Sequence, residues 1–233
     1  MNQNKAQCFF CNPYDYQTHS KIENGIVENE FSPDSTWGFR LHSRRQDYLR
    51  AVYIEKHTFV ERTTDPFGNS TELERVTYNQ IDFQVSVKPP HLLIFKPPIN
   101  YRKLINQLAQ LADYTIAIEN KNVNLLRWLE LLENKNLKGT VIKANIHPIN
   151  YDNYTTGKLS LASSVDLREK IDKLLSGNSF TIKNLKIVFK NSESIPDVEL
   201  YRNGKIIFSR PTDKMNFEVF YDAFCKLAIN LEL

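Results

Sequence analysis

Through DYLRAVYIEKHTFVERTT, from Asp47, and again through ELERVTYNQIDFQVSV, from Glu72, β-branched and aromatic residues dominate, and the turn-rich DPFGNS joins the two runs. This pattern predicts one long hairpin. In its second arm Val76 and Tyr78 are apolar on one parity and Ile81, Phe83, Val85 and Val87 on the other, so a bulge or bend is expected near Asn79 and Gln80. Helical spacing marks Leu104, Ile105, Leu108 and Leu111, then Leu125, Trp128, Leu129 and Leu132, then Leu167, Ile171, Leu174 and Leu175. A last apolar stripe, Phe217, Phe220, Tyr221, Phe224, Leu227, Ala228 and Leu231, is aromatic enough that it must be packed, on a sheet or on another chain. The first 40 residues, with NPYDY, ENG and SPDSTWG, keep no sustained period and are expected to be irregular covering with one short strand.

Two stretches look alike. LIFKPPINYRKLINQL starts at Leu93 and LSLASSVDLREKIDKL at Leu159, and the spacing of 66 (159 − 93) also relates Arg102 to Arg168, Ile105 to Ile171 and Leu108 to Leu174. Asn100 then falls on Asp166, both able to cap a helix through a side-chain oxygen, and Glu169 completes a capping-box spacing in the second copy. Residues 93–120 and 159–190 therefore read as two related strand-helix-strand units. VELYRNGKIIF adds a hairpin in which Asn203 and Gly204 suit a two-residue turn, setting Arg202 across from Lys205. The expected fold class is α+β: a β-rich half over residues 1–90, and a half over residues 91–233 whose sheet carries helices on one face.

Composition narrows the function. A 233-residue chain with 41% hydrophobic and 24% charged residues is expected to fold, and a net charge of +3 permits an anionic partner without demanding one. None of its seven glycines builds GxGxxG, GxxxxGK[ST] or GxSxG, which argues against dinucleotide, P-loop and α/β-hydrolase chemistry; no cofactor is expected. MNQNKAQCFF lacks a basic and then apolar leader, no apolar run approaches membrane-spanning length, and three cysteines make a poor disulfide framework. The chain reads as cytoplasmic, with no membrane partner.

Three sets of residues carry candidate chemistry. CFFC spaces Cys8 and Cys11 like half a zinc site that His19 or His42 would complete, although the sequence has no second CxxC or HxxxH. Asp82, Glu119 and Lys121 imitate the D…ExK set of restriction-like nucleases, in which carboxylates hold a divalent cation. Asp82, however, stands in the row Gln80, Asp82, Gln84, Ser86 and Lys88, which has the look of a solvated sheet face. Arg40, Arg44, Arg45 and Arg50 crowd the hairpin entrance, while Lys186, Lys190, Arg202 and Lys205 sit on later strands. These eight are the expected contacts to DNA or RNA phosphates, and the leading expectation is a non-catalytic nucleic-acid-binding module or accessory subunit. A metal-dependent nuclease is the first alternative. The second is a protein-interaction subunit of a bacterial multi-protein defence system, binding another protein or a second copy of itself.

Overall fold

The computed structural model describes residues 3–189, 196–212 and 214–229; Lys190 and Leu231 lie outside the described residues. In chain order its elements are β1 (Gln3–Asn12), α1 (Tyr16–Glu28), β2 (Trp37–Arg44), β3 (Tyr48–Thr64), β4 (Ser70–Ser86), β5 (Leu92–Phe95), α2 (Arg102–Leu111) and β6 (Ala117–Glu119). There follow α3 (Leu125–Glu133), β7 (Thr140–Asn150), β8 (Thr156–Ala162), α4 (Arg168–Leu174), β9 (Ser179–Val188), β10 (Val198–Tyr201), β11 (Lys205–Thr212) and α5 (Lys214–Ile229). The fold is mixed α+β and rich in sheet. It divides into two compact units, Cys11–Ile118 and Met1–Phe10 with Glu119–Leu233.

In the unit Cys11–Ile118, strands run in the order β2-β3-β4-β5, each antiparallel to its neighbour. Register places Phe39 opposite Tyr53, Ala51 opposite Phe83 and Phe83 opposite Ile94, so these side chains share one face, and all four of Phe39, Ala51, Phe83 and Ile94 are buried. Helices α1 and α2 contribute Ile22, Ile26, Leu104 and Leu108 to the core. At the crossing of α1 and α2, a Cβ on Gly25 would come within 2.6 Å of Leu111.

In the other unit the order is β1-β11-β10-β9-β7-β8. The aromatic stripe of α5 packs within this unit: Phe217 and Phe220 meet Phe208 edge-on at 4.8 and 5.4 Å, and Phe224 meets Trp128 at 4.8 Å. Trp128 on α3 is wholly buried, and its indole N–H donates to the Phe220 carbonyl at 3.0 Å, so the burial leaves no orphaned donor. Arg168, at the start of α4, spans Asp166 (2.7 Å), Glu133 (2.9 Å) and the Gly139 carbonyl (3.3 Å).

The first 40 residues depart from expectation. They hold a 10-residue strand and a 13-residue helix. The strand escaped the alternation test because both of its faces are buried: Ala6, Cys8 and Phe10 on one parity, Gln7, Phe9 and Cys11 on the other. The helix escaped because its inner face carries Gly25 and His19 beside only two isoleucines, although Asp15 caps it as a helix signal should, accepting from Thr18 N–H at 2.7 Å. In the two similar stretches, Asn100 and Asp166 each sit one residue before the helix N-cap and each accept a backbone N–H, from Arg102 at 3.1 Å and Arg168 at 3.0 Å.

Two local expectations are corrected. No bulge interrupts β4, whose ladder with β3 is continuous from Tyr48–Ser86 to Thr64–Ser70. The change of parity marks the point where the strand leaves the core, for Val76 and Tyr78 are exposed whereas Ile81, Phe83 and Val85 are buried. Nor is the last hairpin closed by two residues. Leu200 pairs with Ile206, leaving Arg202, Asn203 and Gly204 in the turn, with Gly204 at φ +80°. That conformation favours glycine, and the site has no room for anything larger: a Cβ there would lie 2.3 Å from the Cys8 sulfur and 2.8 Å from Phe224.

Candidate functional site

Strand β2 accompanies β3 only as far as Glu55, and β5 accompanies β4 only from Asp82 to Val85. Beyond them the hairpin continues as a two-stranded arm with two open edges, and every residue from 58 to 80 is exposed. The register sorts its apolar side chains. Phe59 faces Arg75 and Glu61 faces Leu73 on one side; Thr58 faces Val76, Val60 faces Glu74 and Lys56 faces Tyr78 on the other. At the tip Phe67 is 89% exposed. Asp65 builds the turn, its carboxylate accepting from the N–H groups of Phe67 and Asn69 at 2.9 and 2.8 Å and from the Asn69 amide, bonds that hold its pKa below the ordinary value.

Charge on the arm is one-sided. Arg62 pairs with Glu72 at 2.6 Å and Arg75 with Glu61, so both bases are matched by the arm's own acids. Such exposed pairs add little stability, but they settle the sign of the surface. Four acids, Glu61, Asp65, Glu72 and Glu74, against those two bases leave the arm at −2, and the rest of the +3 chain at +5.

Where the arm leaves the core, a pocket of about 380 Å³ is lined by Tyr53, Glu55, His57, Asn79, Ile99 and Lys103. Glu55 joins these groups: its carboxylate meets His57 at 3.3 Å and also binds Lys103, while His57 contacts the Asn79 amide at 3.0 Å. Burial, and then the Glu55 charge, push the Tyr53 hydroxyl up to about 12. These contacts tie β3, β4 and α2 together at the root of the arm.

The expected phosphate contacts are scattered. Arg40 and Arg45 are exposed. Arg44 is held by Glu23 at 2.6 Å, and Arg50 forms a bidentate pair with Asp82 (3.1 and 2.7 Å) while lying 4.5 Å over the Phe95 ring. In the other unit Lys186 stands opposite Glu199, and the Lys205 ammonium lies 4.5 Å over the Tyr201 ring. Burial, then the nearby Lys5, lower the Lys205 pKa. Arg202 occupies the three-residue turn and not the strand position across from Lys205.

The row containing Asp82 is no solvated face, since Gln84 is buried and Asp82 lies against Arg50. Asp82 belongs to one unit and Glu119 and Lys121 to the other, where Lys121 pairs with Glu119 at 3.0 Å. Cys8 and Cys11 are both buried, three apart on an extended strand, so their side chains leave opposite faces. Burial lifts the Cys8 thiol well above the ordinary value and pushes Cys11 up to about 12. His19 bonds the Tyr14 hydroxyl at 3.0 Å, and Cys11 N–H donates to His91 at 3.0 Å. Among the described residues no three His, Cys, Asp or Glu side chains are grouped to hold a metal ion.

Sequence reasoning passed over Phe59, Val60 and Leu73, and read Val76 and Tyr78 only as the sign of a bulge. Their signal was present in the run itself, since apolar residues on both parities beyond residue 57 do not suit a strand with one buried face. No known family model matches the chain, and no curated protein matches it in sequence.

Proposed function

We propose that this protein is a non-catalytic interaction subunit that docks its β3–β4 arm on another polypeptide, and that this polypeptide is a second copy of the chain. One observation carries the reading: residues 58–80 are exposed throughout, although they include Phe59, Val60, Phe67, Leu73, Val76 and Tyr78. A two-stranded ribbon is marginal in water, and open edges invite pairing unless they are covered. Charge favours a copy of the same chain as the cover, because an arm at −2 meets a remainder at +5. A two-fold arrangement would use both arms equally.

The test is sedimentation equilibrium of the full chain beside a variant in which residues 59–75 are replaced by Asn-Gly, closing the hairpin just after the Thr58–Val76 pair. The expected result is a reversible dimer for the full chain and a folded monomer for the variant. A full chain that stays monomeric at about 100 μM, where specific assemblies of even modest affinity are populated, overturns the self-association reading. A truncated chain that still dimerises removes the arm from it. The nucleic-acid reading retains support from the exposure of Arg40 and Arg45, and is tested on the same samples by fluorescence anisotropy with labelled single-stranded and duplex DNA and RNA at low salt.

A further inference from the structure

Arg202 differs from the other arginines whose partners are known. Arg44, Arg50 and Arg168 pair with Glu23, Asp82 and Asp166, whereas Arg202 has no carboxylate partner among the described residues. Its Nε–H is sealed from water and meets no acceptor. A buried donor left unmade costs about 1–3 kcal/mol, more on a charged group, so the residue carries a cost that the paired arginines do not. The backbone holds the residue from both sides: its N–H donates to the Lys183 carbonyl at 3.1 Å, and its carbonyl accepts from Val123 N–H at 2.9 Å.

Arg202 lines a pocket of about 370 Å³ within the unit that includes Glu119–Leu233, whose other walls include Asn122, Val123, Leu126, Phe180 and Thr181. That volume falls within the range of about 300–1,000 Å³ typical of small-molecule sites. At the neighbouring helix terminus the Asn124 carboxamide accepts from the N–H groups of Leu126 and Arg127 at 3.0 and 3.3 Å. Among the described residues that line the pocket, Arg202 is the one cation. From its charge and its mixed lining we infer that the pocket binds a small organic carboxylate, with the carboxylate on Arg202 and an apolar body against Phe180, Val123 and Leu126. A guanidinium fork matches the two oxygens of a carboxylate, and a single cation matches a single negative charge.

This site is independent of the arm, so the arm-truncated protein is expected to bind in the same way as the full chain. The experiment is calorimetric titration of the full chain with 3-phenylpropanoate, with its neutral amide and with inorganic phosphate. The carboxylate is expected to bind at least tenfold more tightly than either of the others. Arg202→Gln should weaken it at least tenfold, Arg202→Lys by less, and Arg45→Gln in the other unit not at all; thermal melts establish that each variant is folded. Equal binding of amide and carboxylate would reduce the site to an apolar cleft and overturn the inference. Tighter binding of phosphate would reassign the ligand class, and no binding of any probe at 20 mM would remove the site.

Discussion

Gly204 and Gly177 have nearly the same backbone, φ +80° and +83°, but different surroundings, and this separates two effects that are usually confounded. A methyl group at Gly177 would meet nothing within 4 Å, whereas at Gly204 it would strike Cys8 and Phe224. Gly177→Ala is expected to cost only the left-handed strain, roughly 1–2 kcal/mol. Gly204→Ala should add overpacking of roughly 1–3 kcal/mol to that. Urea midpoints of the two variants against the parent check both values. His91 offers a pH test. Burial, and then the neighbouring His19, lower its pKa from 6.5 to about 4, and its ring also accepts the Cys11 N–H and lies 4.5 Å from the Tyr14 ring. As pH falls the unfolded chain therefore takes up a proton before the folded one, so stability should fall between pH 6.5 and 4 and be insensitive to this group above that window. Urea midpoints at pH 7.5 and 4.5 should move less in His91→Gln, whose carboxamide oxygen still accepts from Cys11.

At the scale of elements, what could be read in advance was what obeyed a simple period. The stripes on α2 and α3 and the aromatic face of α5 did, because each of these helices buries one side, while the hairpin was read from its β-branched and aromatic residues on either side of a turn. β1 buries both sides and α1 buries a glycine and a histidine, so neither writes its geometry into an apolar pattern. The arm was legible as a hairpin and illegible as a site. Its parity change reads the same whether the ladder bulges or the core simply ends, and only three-dimensional placement of Phe83 against Val76 separates the two. The candidate pocket was hidden for a related reason: one residue added to the β10–β11 turn moves Arg202 out of the ladder. If the arm docks on a second copy, amides on its open edges should exchange rapidly in dilute solution and slow down as concentration rises, while β3 amides facing β4 should change little. Hydrogen exchange at two protein concentrations measures this, and uniform rates at both would count against docking.

For the molecule as a whole, the contrast between an arm at −2 and a remainder at +5 has a consequence in salt. If opposite charge guides arm to body, the dimer dissociation constant should rise by roughly a factor of a few between low salt and 0.5 M, as screening shortens the reach of those charges. Sedimentation across a salt series reads it directly; tighter association at high salt would place the driving force in apolar burial alone. The two tryptophans allow a different kind of measurement. Trp37 stands on β2 beside Phe39 and Tyr53 in the unit Cys11–Ile118, and Trp128 is sealed beneath α5 in the unit that includes Glu119–Leu233. Each unit thus carries its own intrinsic fluorophore. Trp37→Phe and Trp128→Phe would give single-emitter proteins in which the colour of the remaining indole follows one unit at a time, and the separation of their melting curves would show whether this chain loses its structure in one step or two.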